Sequence, residues 1–326
     1  MAKIVGTITT SHVPAIGGAI AKGLQSDPYW KPFFDGFPPV REWLAKVKPD
    51  VVVLVYNDHG LNFFLDKMPT FAVGAAPEYR NADEGWGIPT VAPFRGDPEL
   101  SWHIIESLVA EEFDPVSCQE MVVDHAFTLP MALCWPDQKW PVRTVPVVVN
   151  TVQAPLPSAA RCYKLGQALG RAIASWPKDE RVVVMGTGGL SHQLDGERAG
   201  FINKDFDLKF MDSMLSDPSW ATKYSTVELV ELSGTQGVEL LNWVVALGTL
   251  PMARLNTPMA VFFSVSTMDC LASVLSSSRN ISPSAAPKDF CPSIAATTAP
   301  PNASATPPRV DTIALPNSRV ADDCSR

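Results

Sequence analysis

Several features that mark large protein classes are missing from this chain of 326 residues. No apolar stretch approaches the ~18 residues that cross a bilayer, so a membrane-spanning protein is not expected. The opening Met-Ala-Lys-Ile-Val-Gly-Thr runs straight into a strand-like segment, without the apolar core and small-residue cleavage site of a signal peptide. Lys/Arg runs are absent, and Asp+Glu 34 outnumber Lys+Arg 26 for a net charge of −8. That balance argues against a nucleic-acid backbone as the main partner. The six cysteines include no CxxC pair and no metal-ligand spacing, so they read as reduced thiols, and a soluble cytoplasmic protein is expected. The chain has no P-loop and no GxSxG, and Gly186-Thr-Gly-Gly does not match GxGxxG. With only 5 histidines, the position of each is informative.

What is present fits a globular protein: 46% hydrophobic and 18% charged residues. A chain of this length buries a large core without disulfide or metal staples. The 30 prolines exceed the ~5% typical of proteins, and 8 of them fall in residues 279–326.

Residues 1–250 alternate strand and helix signals. Ile4–Thr9, Val51–Tyr56, Thr144–Val149 and Arg181–Met185 are apolar and β-branched, and Val51–Tyr56 has no alternation, as in a parallel strand covered on both faces. Helices are expected over Pro39–Val47, Pro98–Phe113, Ser158–Trp176, Asn203–Leu215 and Gly234–Leu247. The alternation predicts a single α/β domain, residues 1–278, with a largely parallel central sheet flanked by helices. Residues 279–326 are rich in Pro, Ala and Ser with Phe290 as the sole aromatic, and are expected to be a disordered tail.

In an open α/β sheet, ligands collect beyond the carboxyl ends of the strands. His12 follows the first strand, His59 the most apolar one, and His192 closes the glycine-rich loop after another. His125 lies in Val122-Val-Asp-His125, before a helix-like segment. Any one loop histidine is ordinarily a hydrogen-bonded structural residue; the joint placement is what points to a metal or acid–base site. His103 sits within an amphipathic helix and reads as structural or solvated. Asp58 and Asp124 each precede a histidine, but neighbouring side chains diverge along an extended chain, so neither is an evident partner for its neighbour.

Glu239 lies in Val-Glu-Leu-Leu-Asn-Trp-Val-Val-Ala-Leu, apolar nearly all round. On periodicity alone, Glu239, Asn242 and Ala246 would make a narrow solvent stripe. If the helix is buried, the carboxylate needs a cation or a full hydrogen-bond shell, and Glu239 is then a ligand candidate. Two neutral imidazoles and a carboxylate leave half of an octahedral metal open. That arrangement suits non-haem Fe(II) binding both an organic chelate and O2. It could equally hold zinc for hydrolysis.

The order and spacing of several segments sharpen this. Thr10-Ser-His-Val-Pro14, Leu54-Val-Tyr-Asn-Asp-His59, Pro69-Thr-Phe-Ala-Val-Gly74, Ala82-Asp-Glu-Gly-Trp-Gly87, Val123-Asp-His125, Gly186-Thr-Gly-Gly-Leu-Ser-His-Gln193 and Gly237-Val-Glu-Leu240 together resemble the β (catalytic) subunits of protocatechuate 4,5-dioxygenases. These belong to the class III extradiol ring-cleaving dioxygenases. The likeness extends from the start to about residue 255.

The resemblance implies that His12, His59 and Glu239 bind ferrous iron. It implies that His192 is the acid/base taking a proton from the substrate hydroxyl, and that His125 is a second active-site imidazole near substrate or O2. The implied reaction opens the ring of protocatechuate with O2 to 4-carboxy-2-hydroxymuconate semialdehyde. Gallate or another catechol is the alternative substrate, and a zinc hydrolase on the same triad is the alternative class. A small helical α subunit covering the active site, in an α2β2 assembly, is also implied. After residue 255 the chain departs from the family: an aromatic-His segment and a Pro-Ala-Ser-Asn stretch are replaced by Val261-Phe-Phe-Ser-Val-Ser-Thr-Met-Asp-Cys-Leu. Glycine, Trp and Tyr end at Gly248, Trp243 and Tyr224, a pattern expected of an altered reading frame.

Overall fold

Strands and helices follow one another much as the periodicity predicts. In chain order they begin β1 (Lys3–Ser11), α1 (Pro14–Ala21), α2 (Lys31–Phe34), α3 (Phe37–Val47), β2 (Val51–Tyr56), β3 (Phe71–Gly74), β4 (Glu78–Asn81), β5 (Phe94–Arg95), α4 (Pro98–Ala110), β6 (Val116–Cys118) and β7 (Val122–Val123). They continue with α5 (His125–Cys134), β8 (Arg143–Val149), α6 (Ala159–Ser175), β9 (Arg181–Gly188), α7 (Lys204–Ser216), α8 (Thr226–Ser233), α9 (Leu240–Gly248) and β10 (Ala260–Ser264). This computed structural model describes residues 1–250 apart from Trp86, and the backbone of strand 260–264. The expected disordered tail at 279–326, the domain boundary at 278 and the expected frame change lie outside the described residues.

The central sheet has the order β10-β1-β9-β2-β8-β3-β6. Every described neighbouring pair is parallel except β3 against β8. A smaller sheet, β5-β4-β7, meets β8 through a bridge between Gly96 and Thr144, and its strand β7 leads into Asp124 and His125.

The missing alternation in β2 has the expected cause. Val51, Val53 and Val55 face one cluster with α4, α6 and α9, while Val52, Leu54 and Tyr56 face the other with α3 and α5. All six residues are buried. At about 1.5–3 kcal/mol for each large apolar side chain removed from water, this strand anchors both layers at once. The same two-sided burial holds for β8 and β9, giving an α/β domain with helices on both faces of a mostly parallel sheet.

Local chemistry sets the helix starts. Ser158, Asp97, Asn203 and Ser225 accept hydrogen bonds from backbone N–H groups of α6, α4, α7 and α8. The structure moves one expected boundary. The helix read from Gly234 starts at Leu240, preceded by a 3-10 turn over Gly237–Glu239, because Gly234 adopts a φ of +89° that no helix contains. Helix α9 packs directly on β9. A side chain at Gly186 would meet Ala246 Cβ at 2.9 Å, and one at Gly188 would meet the Glu239 carbonyl oxygen at 2.8 Å. The glycine-rich run is therefore what lets α9 lie on the strand. None of the described helices is long and apolar enough to cross a membrane.

Candidate active site

Parallel strands β1, β9 and β2 end side by side, and the residues after them converge. His12 is the first residue beyond β1, His59 lies three beyond β2, and His192 four beyond β9. His125 opens α5, where Asp124 caps the helix by accepting from Ala126 N at 3.0 Å. Glu239 ends the 3-10 turn above β9. The rings of His12, His59 and His125 have centroids 5.3, 5.5 and 4.3 Å apart, and Glu239 touches the first two. His103 stays away: its Nε2 pairs with Ala172 O and Ser175 Oγ between helices, the structural role expected.

Each histidine has its Nδ1 committed. The Thr187 hydroxyl donates to Ala126 O at 2.9 Å, so at 3.2 Å from His12 Nδ1 it accepts. His59 donates from Nδ1 to Asp124 Oδ2 at 2.9 Å, and its backbone N–H reaches the same oxygen at 2.8 Å. His192 Nδ1 donates to Leu190 O at 2.9 Å, since a carbonyl can only accept. In all three the neutral ring keeps its lone pair on Nε2.

For His12 and His59 those lone pairs face a carboxylate. His12 Nε2 lies 3.2 Å from Glu239 Oε2, and His59 Nε2 lies 3.5 Å from Oε1. His12 Nε2 is buried and has no hydrogen-bond partner of good geometry. Asn57 Nδ2 lies 3.2 Å from His59 Nε2, but His12 Nε2 meets the Glu239 carboxylate acceptor to acceptor in a site where Glu239 is 6% exposed, which calls for a cation between them. The protonation pattern agrees. Burial lowers the pKa of His12 more than Glu239 raises it. Burial also acts against charge at His59, but its bonds to Asp124 and Glu239 outweigh this and lift the pKa to about 10. Burial opposes ionisation of Glu239 as well, yet His12 and His59 hold it well below the ordinary carboxylate range. Without metal, a proton on His59 supplies the missing positive charge. His12, His59 and Glu239 could hold a metal in its place, with His125 beside them; a ring nitrogen of His125 lies within 4.8 Å of those of His12 and His59.

The solvent stripe expected on periodicity alone is overturned: Asn242 and Ala246 are fully buried, like Glu239. The cause is the flat glycine surface of β9 beneath α9. One turn on from Glu239, Asn242 donates to Asn57 Oδ1 at 2.9 Å and to Thr187 O at 2.8 Å. Asn57 in turn donates to Glu239 Oε1 at 3.1 Å, and Gly189 N donates to Oε2 at 3.1 Å. Both carboxylate oxygens are thus aimed.

Sequence reasoning missed these supports, along with Glu84, which accepts from His125. Asp124 orients His59, 65 positions away, rather than its neighbour. Asp58 gathers the backbone N–H groups of Gly60, Leu61, Asn62 and Phe63, pinning the loop after His59. The signal that could have exposed Asp124 and Glu84 is a hydrogen-bonding demand: an inward-facing imidazole needs an acceptor behind it.

Around His192 the backbone is crowded. Its ring lies against Gly189, where a Cβ would fall 2.3 Å from Cε1, and its N–H donates to Ser233 O at 2.8 Å. The preceding Ser191 donates from both N and Oγ to the buried Asp207, at 2.9 and 2.6 Å.

Parts of this chain match known proteins. Over 170 residues the chain is 45% identical to gallate dioxygenase of Pseudomonas putida, covering 52% of this chain and 50% of that protein. Over 189 residues it is 33% identical to the 2,3-dihydroxyphenylpropionate/2,3-dihydroxicinnamic acid 1,2-dioxygenase of Photorhabdus laumondii, covering 58% and 56%. The protein of the same name from Comamonas testosteroni is 24% identical over 274 residues, covering 70% and 84%. The chain thus spans about half the length of the first two relatives. The model of one family, the catalytic LigB subunit of aromatic ring-opening dioxygenase, matches residues 6–270, a span that includes all four converging histidines and Glu239. The chain belongs to that family.

Proposed function

We propose that this chain is the catalytic subunit of an Fe(II)-dependent extradiol dioxygenase that opens a catechol ring bearing a carboxylate. His12, His59 and Glu239 are its metal ligands, His192 its acid/base, and residues 1–278 its catalytic domain. The observation that supports this most directly is the pair of Nε2 lone pairs set against the Glu239 carboxylate, with His12 Nε2 buried and unpartnered. Two imidazoles and one carboxylate fit ferrous iron better than the closed sulfur-rich sites of structural zinc. Membership of a ring-opening dioxygenase family speaks against the zinc hydrolase alternative. Ferrous iron in such a site supplies the redox chemistry for combining a chelated catechol with O2.

The chain's own residues supply the rest. His192, with its Nδ1–H fixed on Leu190 O, accepts the substrate hydroxyl proton at Nε2 and can return it later. His125 stands beside the metal ligands, where substrate or O2 would lie. Protocatechuate is the substrate implied by the sequence resemblance. The gallate dioxygenase relative supports gallate, the alternative, as the first to test. A helical α subunit as partner, in an α2β2 assembly, fits the exposed Phe64, Leu65 and Leu194 on the loops that carry His59 and His192 onward. A cytoplasmic location fits the unpaired Cys118, Cys134 and Cys162.

The test is anaerobic reconstitution with Fe(II), then an O2 electrode with gallate and protocatechuate in turn, with a partner subunit added. The expected result is O2 consumption and a yellow ring-opened product. Silence with both substrates, in protein that has taken up iron, overturns the reading.

A further inference from the structure

The support of His125 comes from outside the main sheet. Glu84, on the segment between β4 and β5, accepts from His125 Nδ1 at 2.7 Å through Oε1 and from His125 N at 2.7 Å through Oε2. The Glu84 side chain is 8% exposed. Its segment is itself seated. Val91 N donates to Asn81 Oδ1 at 2.9 Å, closing the base, and Gly85 N donates to Asp83 Oδ1 at 3.0 Å. Ile88 packs into the space left by Gly17 on α1, next to Leu129 on α5, the helix that begins with His125.

We propose that Glu84 is a positioning residue: it holds His125 as the Nδ1–H tautomer, so that the lone pair on Nε2 serves the reaction beside His12 and His59. The assignment of His125 to the reaction rests on the dioxygenase reading; the tautomer does not. Both groups that meet the carboxylate are donors, so only a group with two acceptor oxygens satisfies them together. Glutamine cannot. With the Gln oxygen on the His125 backbone N–H, its NH2 faces Nδ1 and is satisfied only if Nδ1 becomes an acceptor. Glu84→Gln should therefore move the ring proton to Nε2, placing a hydrogen where the lone pair had been, with almost no change in shape.

Five histidines make this directly readable. In long-range 1H–15N spectra of the metal-free full-length chain, His125 should show the Nδ1–H tautomer in the wild type and the Nε2–H tautomer in Glu84→Gln. Reconstituted Glu84→Gln should keep its iron stoichiometry and substrate KM while kcat falls about tenfold or more. Ile88→Ala, which loosens the segment without touching His125, should give a mixture of the two tautomers, and it serves if Glu84→Gln does not fold. A wild-type His125 in the Nε2–H form overturns the proposal. So does an unchanged tautomer in both variants, or a switched tautomer with unchanged kcat. If the wild type opens no catechol, the dioxygenase reading fails, while the spectra still decide the tautomer.

Discussion

The two ends of the parallel sheet hold charges in opposite ways. At the amino ends of the strands, Arg181 grips Asp50 through Nε at 3.1 Å, and Arg143 bridges Asp97 and Glu180 at 3.0 and 2.5 Å. The hydrogen bond from Arg181 holds Asp50 below its ordinary pKa. The Arg181–Asp50 pair stands at the surface, where water screens it and it adds little to stability, whereas Asp97 and Glu180 are largely buried against Arg143. At the carboxyl ends, the partners of the carboxylates are imidazoles, and they are buried. A guanidinium keeps its proton at any accessible pH; an imidazole can give one up. One end therefore holds permanent pairs, and the other holds pairs whose proton can be exchanged for a metal.

The largest effect should come from the proposed ligands. His12→Ala or His59→Ala should abolish metal uptake and ring opening together, by elemental analysis and O2 uptake. A variant that keeps stoichiometric iron would remove that residue from the ligand set. Next, His192→Phe should retain iron while kcat falls by about 10²–10⁴-fold, the usual worth of a general acid–base group. Loss of iron there would contradict a role in proton transfer alone.

Asp124→Asn should weaken metal binding by about 10–100-fold, as second-layer partners of metal-bound histidines do, when titrated with Fe(II) under argon. A smaller effect follows from pH. With the His59 pKa near 10 in the metal-free protein, that ring holds a proton at neutral pH which the metal must displace. Binding should release about one proton near pH 7.5 and tighten as pH rises toward 10. Calorimetry in buffers of different ionisation enthalpy measures the release, and binding without it would mean the ring is already neutral. Smallest of all, Arg181→Ala at the other end should leave metal content and turnover unaltered; a loss of metal would break the contrast between the ends.

Much of this was legible in sequence, for reasons tied to particular residues. The runs Ile4–Thr9, Val51–Tyr56 and Arg181–Met185 are apolar and β-branched and long enough to be recognised, and the sheet places whatever follows them at one end. That is why His12, His59 and His192 stood out. The strands between Phe71 and Val123 were not legible: two to four residues long, and all but Phe71–Gly74 partly exposed, they show no period to read. Nor were the pairings of Asp124 with His59 and Glu84 with His125, set by contacts across 65 and 41 positions. Glu239 was ambiguous because a helix apolar nearly all round hides its orientation, and only its packing on glycine resolved it.

Gly189 has a consequence for tuning the site. Its N–H binds the Glu239 carboxylate, and its bare Cα backs the ring of His192. His192 and the Glu239 carboxylate are thus separated by the thickness of one peptide, a spacer with no side-chain rotamer to adjust. Even a methyl group there has nowhere to go without displacing the imidazole. A change of substrate in this scaffold must then be made at other residues around the site, with the gap between His192 and Glu239 left as it is.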